Sequence, residues 1–523
     1  MIDLKKIKKL ILEGDYNKSS QILEKILFTE KNNIEALYLL AVTNEKNLKY
    51  QKAIKIYKKL IKKKDNHLFY DNLGKIYIKL NKFTLANNCF SKSIIINPEN
   101  PNTYNIFGVT LAMLNKENLA IKNFKKAITL NNNFVDPIYN LMEIYEKANN
   151  FIELEKIIKH NLSIFPNNKI ILFFHSYVLE KNKNVNEAIN LLKKINFEKT
   201  SLEWEVKKKF RIGELFQKNN QFNNAFKLFK EANKLTLRNI NKNIFLNNAY
   251  INVIEKNIEY SKKKAINNKD YKKNYNFDLY FHVGFPRSGT TLLDNILRSH
   301  SKINILEEAP LIENMLKNLE IDYNTIFSNR TIESAEKLYL KELKNFFNLK
   351  TLNNKIFIDK LPLNLTKIKL IHHLLPHAKF IISLRHPLDC IVSCFTQNFA
   401  LNSAMVNFLD LERTALVYDK IMRILKNSQD ISKKFLYYLK YEDLILNTEK
   451  NLNELLKFLK LENETNFLNI NILTNTRERI RTPSYNQVIK PIYKSSINKW
   501  KNYEKEIFTI KPIVKEWIKY FKY

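Results

Sequence analysis

Residues 280–300 read YFHVGFPRSGTTLLDNILRSH. From Gly284 the stretch runs Gly-Phe-Pro-Arg-Ser-Gly-Thr-Thr, one substitution away from a nucleotide-binding phosphate loop, which carries Lys where Thr290 stands. Upstream, DLYFHVGF reads as a strand; downstream, Leu292, Leu293, Ile296 and Leu297 fall at helical spacing. A loop between a strand and a helix turns backbone N–H groups toward one point at the helix N-terminus, which suits an anion. Gly289 permits close backbone approach. Ser288, Thr290 and Thr291 add hydroxyl donors, and Arg287 adds a fixed cationic fork. Without the lysine a triphosphate lacks its β/γ clamp, and Asp359 at the end of KIFID is the one strand-end carboxylate worth testing as a magnesium ligand. The loop therefore reads as a holder of a single phosphate or a phosphate–sulfate rather than of ATP.

Outward from the loop the same texture repeats. KIFIDK precedes LTKIKLIHHLL, KFIISLRH precedes PLDCIVSCFTQNF, and KFLYYLKYEDL precedes EKNLNELLKFLKL. Strands alternating with helices indicate a parallel α/β sheet. In FIISLRHPLDCIVSCF a strand ends at Arg385, Pro387 suits a first helical turn, and Ser393 follows Arg385 by two turns. That pair offers a guanidinium and a hydroxyl to a second phosphate; alone, it is equally well a surface Arg–Ser pair. Beside the first loop it implies a ligand with two separated phosphates.

Upstream of residue 277 the chain is periodic. Pairs four residues apart recur at Ala53/Tyr57, Ala86/Phe90, Ala120/Phe124, Leu154/Ile158, Ala188/Leu192 and, after a gap, Ala225/Phe229; the first steps are 33, 34, 34 and 34 residues. Second anchors precede them at Leu40-Ala41, Leu73-Gly74, Phe107-Gly108, Leu141-Met142 and Ile212-Gly213, and Pro98 and Pro166 end two units. A small residue at a helix crossing lets an aromatic ring fill the gap, and such units bury their apolar faces only by stacking. The pattern resembles the tetratricopeptide repeat, in five to six units, whose usual role is binding a protein or peptide. The expected organisation is an all-helical solenoid over 1–254, a basic linker over 255–276 and a phosphate-loop-like α/β domain with a parallel sheet over 277–523.

Composition sets the bounds. A chain of 523 residues with 45% hydrophobic residues is globular and long enough for several domains. The net charge of +35 would suit an anionic partner, but the lysines are scattered, Asn and Ile are abundant too as in an AT-rich genome, and no nucleic-acid module accompanies them. Cys89, Cys390 and Cys394 form neither a disulfide framework nor a zinc site and read as reduced core thiols. The opening MIDLKKIKKLILEGDY lacks the apolar core of a signal peptide, and no run of about 18 apolar residues offers a membrane span. The expected compartment is the cytoplasm.

The motifs together resemble the sulfotransferases that use 3′-phosphoadenosine-5′-phosphosulfate. FPRSGTT (Phe285 to Thr291, with Pro286) is similar to their 5′-phosphosulfate loop and LRHPLDCIVS to their 3′-phosphate segment. The C-terminal part looks most like the tyrosylprotein sulfotransferases and bacterial proteins joining repeats to such a domain. The resemblance implies Glu308 of INILEEAP, neighboured by Glu307, as catalytic base. It implies Lys360 of FIDKLPLNL as the group that neutralises the sulfuryl and bridging oxygens. It implies Tyr441 of LKYEDLI at the 3′-phosphate or adenosine, and Ser484 and Lys499 of TPSYNQVIKPIYKSSINKW at the cofactor phosphates, with Trp500 as an anchor. Arg287, Lys360 and Ser484 would share the transition-state charge, and no metal is implied. Pro310 stands where the tyrosylprotein enzymes carry a peptide-binding Arg, and His372, His373, His377 and His386 look structural or surface-facing. The implied acceptor is a hydroxyl of a peptide, sugar or small molecule. The competing reading is a repeat scaffold with a non-catalytic phosphate-binding domain, which would have no need of Glu308 and Lys360 together.

Overall fold

Small residues at helix crossings shape the N-terminal part of the computed structural model, which describes residues 4–240, 248–265, 271–319, 328–464 and 496–523. Ile34–Lys46 pairs with Tyr50–Lys63, His67–Lys79 with Phe83–Ile96, Pro101–Met113 with Glu117–Leu130, and Val135–Lys147 with Phe151–Ile164. The periodic residues Ala53, Tyr57, Ala86, Phe90, Ala120, Phe124, Leu154 and Ile158 are all buried. A Cβ at Gly108 would lie 2.6 Å from the Phe124 ring, and one at Gly74 would lie 2.7 Å from Phe90. The all-helical solenoid expected from the period is what the chain forms.

Asparagine marks both ends of these helices. Asn33, Asn66 and Asn100 cap the first helix of successive pairs with their side-chain oxygens. Leu48, Asn81 and Asn115 take left-handed φ values of 57°, 56° and 59° just past the ends of those helices, and Asn149 does the same at 56° after Val135–Lys147. Each is followed by a backbone bond back across the turn, such as Lys82 N–H to the Tyr77 carbonyl at 2.8 Å and Asn150 N–H to Tyr145 at 2.8 Å. These six-residue closures satisfy carbonyls that the helix end would otherwise orphan.

The chain divides into two compact units, 1–178 and 179–523. The repeat period, by contrast, runs on to Phe229, so periodicity and packing draw different boundaries. Helices Leu202–Lys218 and Phe222–Asn239 keep the repeat geometry, since a Cβ at Gly213 would lie 2.6 Å from Phe229. Yet their neighbours lie in the α/β core. The Phe226 ring stacks on Phe395 at 5.2 Å, and Phe222 and Phe226 meet Tyr503 at 5.7 and 5.8 Å. Helix Ala249–Ser261, partly within the stretch read as a linker, buries Ile254, Ile258 and Tyr260 in the same core.

Five parallel strands form the sheet: β1 Asp278–Gly284, β2 Ile303–Glu307, β3 Ile356–Lys360, β4 Lys379–Leu384 and β5 Leu436–Lys440, in the order β2-β3-β1-β4-β5. β1 lies at the centre and is buried from Leu279 to Gly284, which accounts for its unbroken apolar texture. Chain progression goes one way from β1 to β2 and β3, then crosses to β4 and β5 on the other side. The carboxyl ends of β1 and β4 thus flank a topological switch point, where open α/β sheets form a crevice for ligands.

Candidate functional site

The loop after β1 is shaped by two unusual backbone conformations. Arg287 has φ of 69° and Gly289 of 94°. Gly289 is the N-cap of helix Thr290–Leu297, and a Cβ there would meet the Tyr441 ring at 2.5 Å. A Cβ at Gly284 would meet Ser288 Oγ at 2.6 Å and the Ser383 carbonyl at 2.7 Å. The loop therefore folds tightly back on β4. Ser288, Thr290 and Thr291 are buried beside it, and Ser288 Oγ has no hydrogen-bond partner among the described residues. Cys394 Sγ approaches the Pro286 carbonyl from below at 3.5 Å.

The second loop, after β4, meets the first. Arg287 Nε donates to Ser393 Oγ at 2.9 Å, and Arg385 donates to the Arg287 carbonyl at 3.0 Å. The Arg385 guanidinium lies 4.7 Å above the Tyr441 ring, and its buried Nε has no partner among the described residues. The two anion loops read separately in the sequence are thus one surface, built on the adjacent strands β1 and β4. Helix Pro387–Phe395 holds Asp389 inward. Its carboxylate accepts the N–H groups of Asn498 and Trp500, each at 2.9 Å. The Trp500 indole stacks on His386 at 5.1 Å, and Glu442 accepts the His386 N–H at 2.9 Å.

Lys499 reaches this surface from the segment so fixed. Burial lowers its pKa to about 8, and the nearby Arg287 and Arg385 push in the same direction. Arg287, Arg385 and Lys499 gather here, with the Asp389 carboxylate 3.9 Å from Arg385, and three cations to this one nearest carboxylate suit an anion. Ser484, the remaining residue expected in this group, lies outside the described residues.

Lys360, Glu307 and Glu308 meet on the other side of β1. Lys360 ends β3 with its side chain buried, and its Nζ lies 3.3 Å from Glu307 and 3.1 Å from Glu308. Burial alone would lower its pKa; the carboxylates of Glu308 and Glu307 outweigh that and hold it above the ordinary lysine value. Glu308 follows β2 with φ of 53°, and its N–H donates to the Lys360 carbonyl at 2.8 Å. That bond turns its side chain up beside the lysine, where it is 35% exposed while Glu307 stays buried. Of the two, Glu308 alone can meet an entering molecule.

One neighbour carried no signal in the sequence. His282 on β1 sits opposite Lys360 in the register and is fully buried against Ser383, its ring nitrogen 2.8 Å from the hydroxyl. Burial, with Lys360 beside it, drives its pKa down to about 3, so it is neutral. Asp359 is buried on the opposite face and accepts the Tyr339 hydroxyl at 3.0 Å. Burial raises its pKa to about 8, so at neutral pH it is largely protonated. His372, His373 and His386 are buried, and His373 is held by the Tyr260 hydroxyl at 2.6 Å. No group of three or more potential metal ligands occurs among the described residues, and no described helix is long and apolar enough to cross a membrane.

Comparison with known proteins agrees with this architecture. Residues 280–465 match the sulfotransferase family, and residues 35–66 and 68–100 match tetratricopeptide repeats. An uncharacterized protein of Aquifex aeolicus is 27% identical over 59% of this chain and 41% of its own length. Protein-tyrosine sulfotransferase 2 of Gallus gallus is 22% identical over 45% of this chain and 66% of its own. The chain thus spans from 41% to 66% of these relatives. A tetratricopeptide repeat protein from Parabacteroides merdae is 19% identical and covers 46% of this chain and 93% of its own, with a TM-score of 0.38. The chain carries tetratricopeptide repeats followed by a sulfotransferase-family domain.

Proposed function

We propose that this chain moves the sulfuryl group of 3′-phosphoadenosine-5′-phosphosulfate to an acceptor hydroxyl. The observation that carries the reading is the convergence of the loops after β1 and β4 through Arg287 and Ser393, with the Glu308–Lys360 pair across β1 from them. Arg385, Ser393 and Tyr441 receive the 3′-phosphate side of the donor. Arg287, Ser288, Gly289, Thr290 and Thr291, with Pro286 shaping the turn, receive the 5′-phosphosulfate. Lys499 and Ser484 reach the phosphates from the C-terminal segment.

Glu308 takes the acceptor's proton as its oxygen attacks sulfur in line. The new O–S bond forms while the S–O bond to the 5′-phosphate breaks. The electron pair goes to the phosphate oxygen, leaving adenosine 3′,5′-bisphosphate and a sulfate ester. Lys360 and Arg287 neutralise the charge that shifts onto the bridging and sulfuryl oxygens, and Ser484 adds a hydroxyl donor to it, an effect strongest in a dry site. The charges of these side chains serve the transfer, and the residues read here call for no metal.

The acceptor is a hydroxyl of a peptide, a sugar or a small molecule. The likeness to a protein-tyrosine sulfotransferase supports a protein tyrosine, and the repeats support a protein or peptide partner; Pro310 argues for a different mode of peptide contact from the tyrosylprotein enzymes. The buried thiols Cys89, Cys390 and Cys394 support a cytoplasmic location.

Calorimetric titration with adenosine 3′,5′-bisphosphate tests the reading, with 5′-AMP and magnesium ATP as controls. Micromolar binding that requires the 3′-phosphate is expected, and Arg385→Ala weakens it. No binding, or tighter binding of magnesium ATP, rejects the donor and returns the domain to a passive role beside the repeats.

A further inference from the structure

Gln217 lies near the end of helix Leu202–Lys218, in the hairpin that continues the repeat geometry. Its half-buried side chain reaches toward the anion surface. The amide oxygen accepts from Lys499 Nζ at 3.3 Å, and the amide nitrogen donates to the Tyr503 hydroxyl. Both partners lie more than 280 residues away in sequence. The same hairpin braces the other loop: Asn233 Nδ2 donates to the Phe395 carbonyl at 3.0 Å, at the end of the helix that carries Ser393.

We infer that Gln217 is a positioning residue of the donor site, through which a repeat-type hairpin fixes Lys499 against the phosphates. Two features of the geometry carry this. First, Lys499 lies between the two N–H groups that Asp389 holds, and its ammonium makes no hydrogen bond or ion pair with a carboxylate among the described residues. A neutral amide oxygen orients the ammonium without neutralising it, so the charge stays available to an anion. Second, the amide is oriented at both ends, since Tyr503 is fully buried and fixed by the Phe222 and Phe226 rings. The Tyr503 hydroxyl can accept or donate, whereas the Lys499 ammonium only donates, so Lys499 is the partner that turns the amide oxygen inward and leaves the amide nitrogen for Tyr503. The groups that face Lys499 from every side are Arg287 of the first loop, Arg385 at the end of β4, Asp389 of helix Pro387–Phe395, and Glu214 one turn before Gln217.

The inference rests on the proposed donor site, and its test separates the two. Wild type, Gln217→Leu and Gln217→Glu are prepared as full-length chains. Adenosine 3′,5′-bisphosphate affinity is measured across pH 6–10. In the same samples, the pH dependence of Lys499 acylation by an amine-reactive ester is read by peptide mass spectrometry. Losing the accepting oxygen should favour the free amine, so Gln217→Leu labels Lys499 faster near neutral pH and weakens the bisphosphate about tenfold. A carboxylate at the same place should hold the proton, so Gln217→Glu labels more slowly and carries affinity to higher pH. A purely structural role for Gln217 would move both variants in the same direction. Labelling unchanged in both variants, or shifted alike in both, overturns the inference. Labelling shifted in opposite directions in the two variants, with a wild type that binds no bisphosphate, keeps Gln217 as the holder of Lys499 and rejects the donor site instead.

Discussion

Glu308 is a non-glycine residue held at φ of 53°, a conformation that costs free energy unless its surroundings impose it. The imposing contact is its own N–H bonded to the Lys360 carbonyl, which extends the sheet by one bond beyond β2 and lifts the carboxylate beside the lysine. Glu308→Gln keeps that backbone and the side-chain size. It should leave bisphosphate affinity near that of wild type and lower turnover by about 10²-fold or more, the usual contribution of a positioned base. Retained turnover in a steady-state assay would reject the base. Lys499 makes a second prediction at this scale. Its folded pKa is lowered, to about 8, so below that pH it is already charged and meets a phosphate without taking up a proton. Above it, binding must recruit a proton, so bisphosphate affinity should fall as pH rises past about 8. For folding the sign is opposite: between about 8 and the ordinary lysine value the unfolded chain holds the proton and the native one does not, so this residue's penalty shrinks as pH rises there.

At the scale of elements, the loop after β1 depends on a glycine for two independent reasons. Gly289 is left-handed at 94°, and its missing side chain leaves room for the Tyr441 ring. Gly289→Ala should destabilise the second unit by about 1–3 kcal/mol in urea melts and displace Tyr441, which packs under Arg385, so bisphosphate binding weakens too. A variant with wild-type binding would show that the loop does not need this approach. The loop, β1, β3, β4 and β5 were legible because each carries a long apolar run or a motif. β2 was not: INILE is five residues long, and its reading was taken up by the glutamates that follow. Its strand character comes from lying beside β3 in register, which no local pattern records. Arg287 was readable as a loop residue and Ser393 as a helix residue of a separate motif, and their 2.9 Å contact follows from the adjacency of β1 and β4. Gln217 and His282 left no trace, because each acquires its meaning from a partner far along the chain. Asparagine was read as compositional bias, yet it occupies caps and left-handed ends in successive units, where its side-chain oxygen and its tolerance of positive φ both serve.

For the molecule as a whole, packing divides the chain at 178/179, inside helix Lys169–Lys181, while the repeat period runs on to Phe229. A fragment starting at residue 179 keeps the hairpin that packs on Phe395 and Tyr503; one starting at 277 loses it and leaves those rings uncovered. The longer fragment should be soluble and bind the bisphosphate, and the shorter should aggregate or bind weakly, as judged by size-exclusion chromatography and calorimetry. Equal behaviour of the two would mean that the hairpin is dispensable to the α/β core.

The parallel sheet has a consequence for synthesis. β1 pairs with β3, whose first partner Ile356 lies 78 residues beyond Asp278, and with β4, further still. Repeats need only their immediate neighbours, so the solenoid can close while the ribosome is still making the rest. The hairpin of Leu202–Lys218 and Phe222–Asn239 emerges early, but Phe395 and Tyr503, the rings that cover Phe226, are translated much later. Between those moments an apolar face waits on the nascent chain, and that interval is when a chaperone has the most to shield.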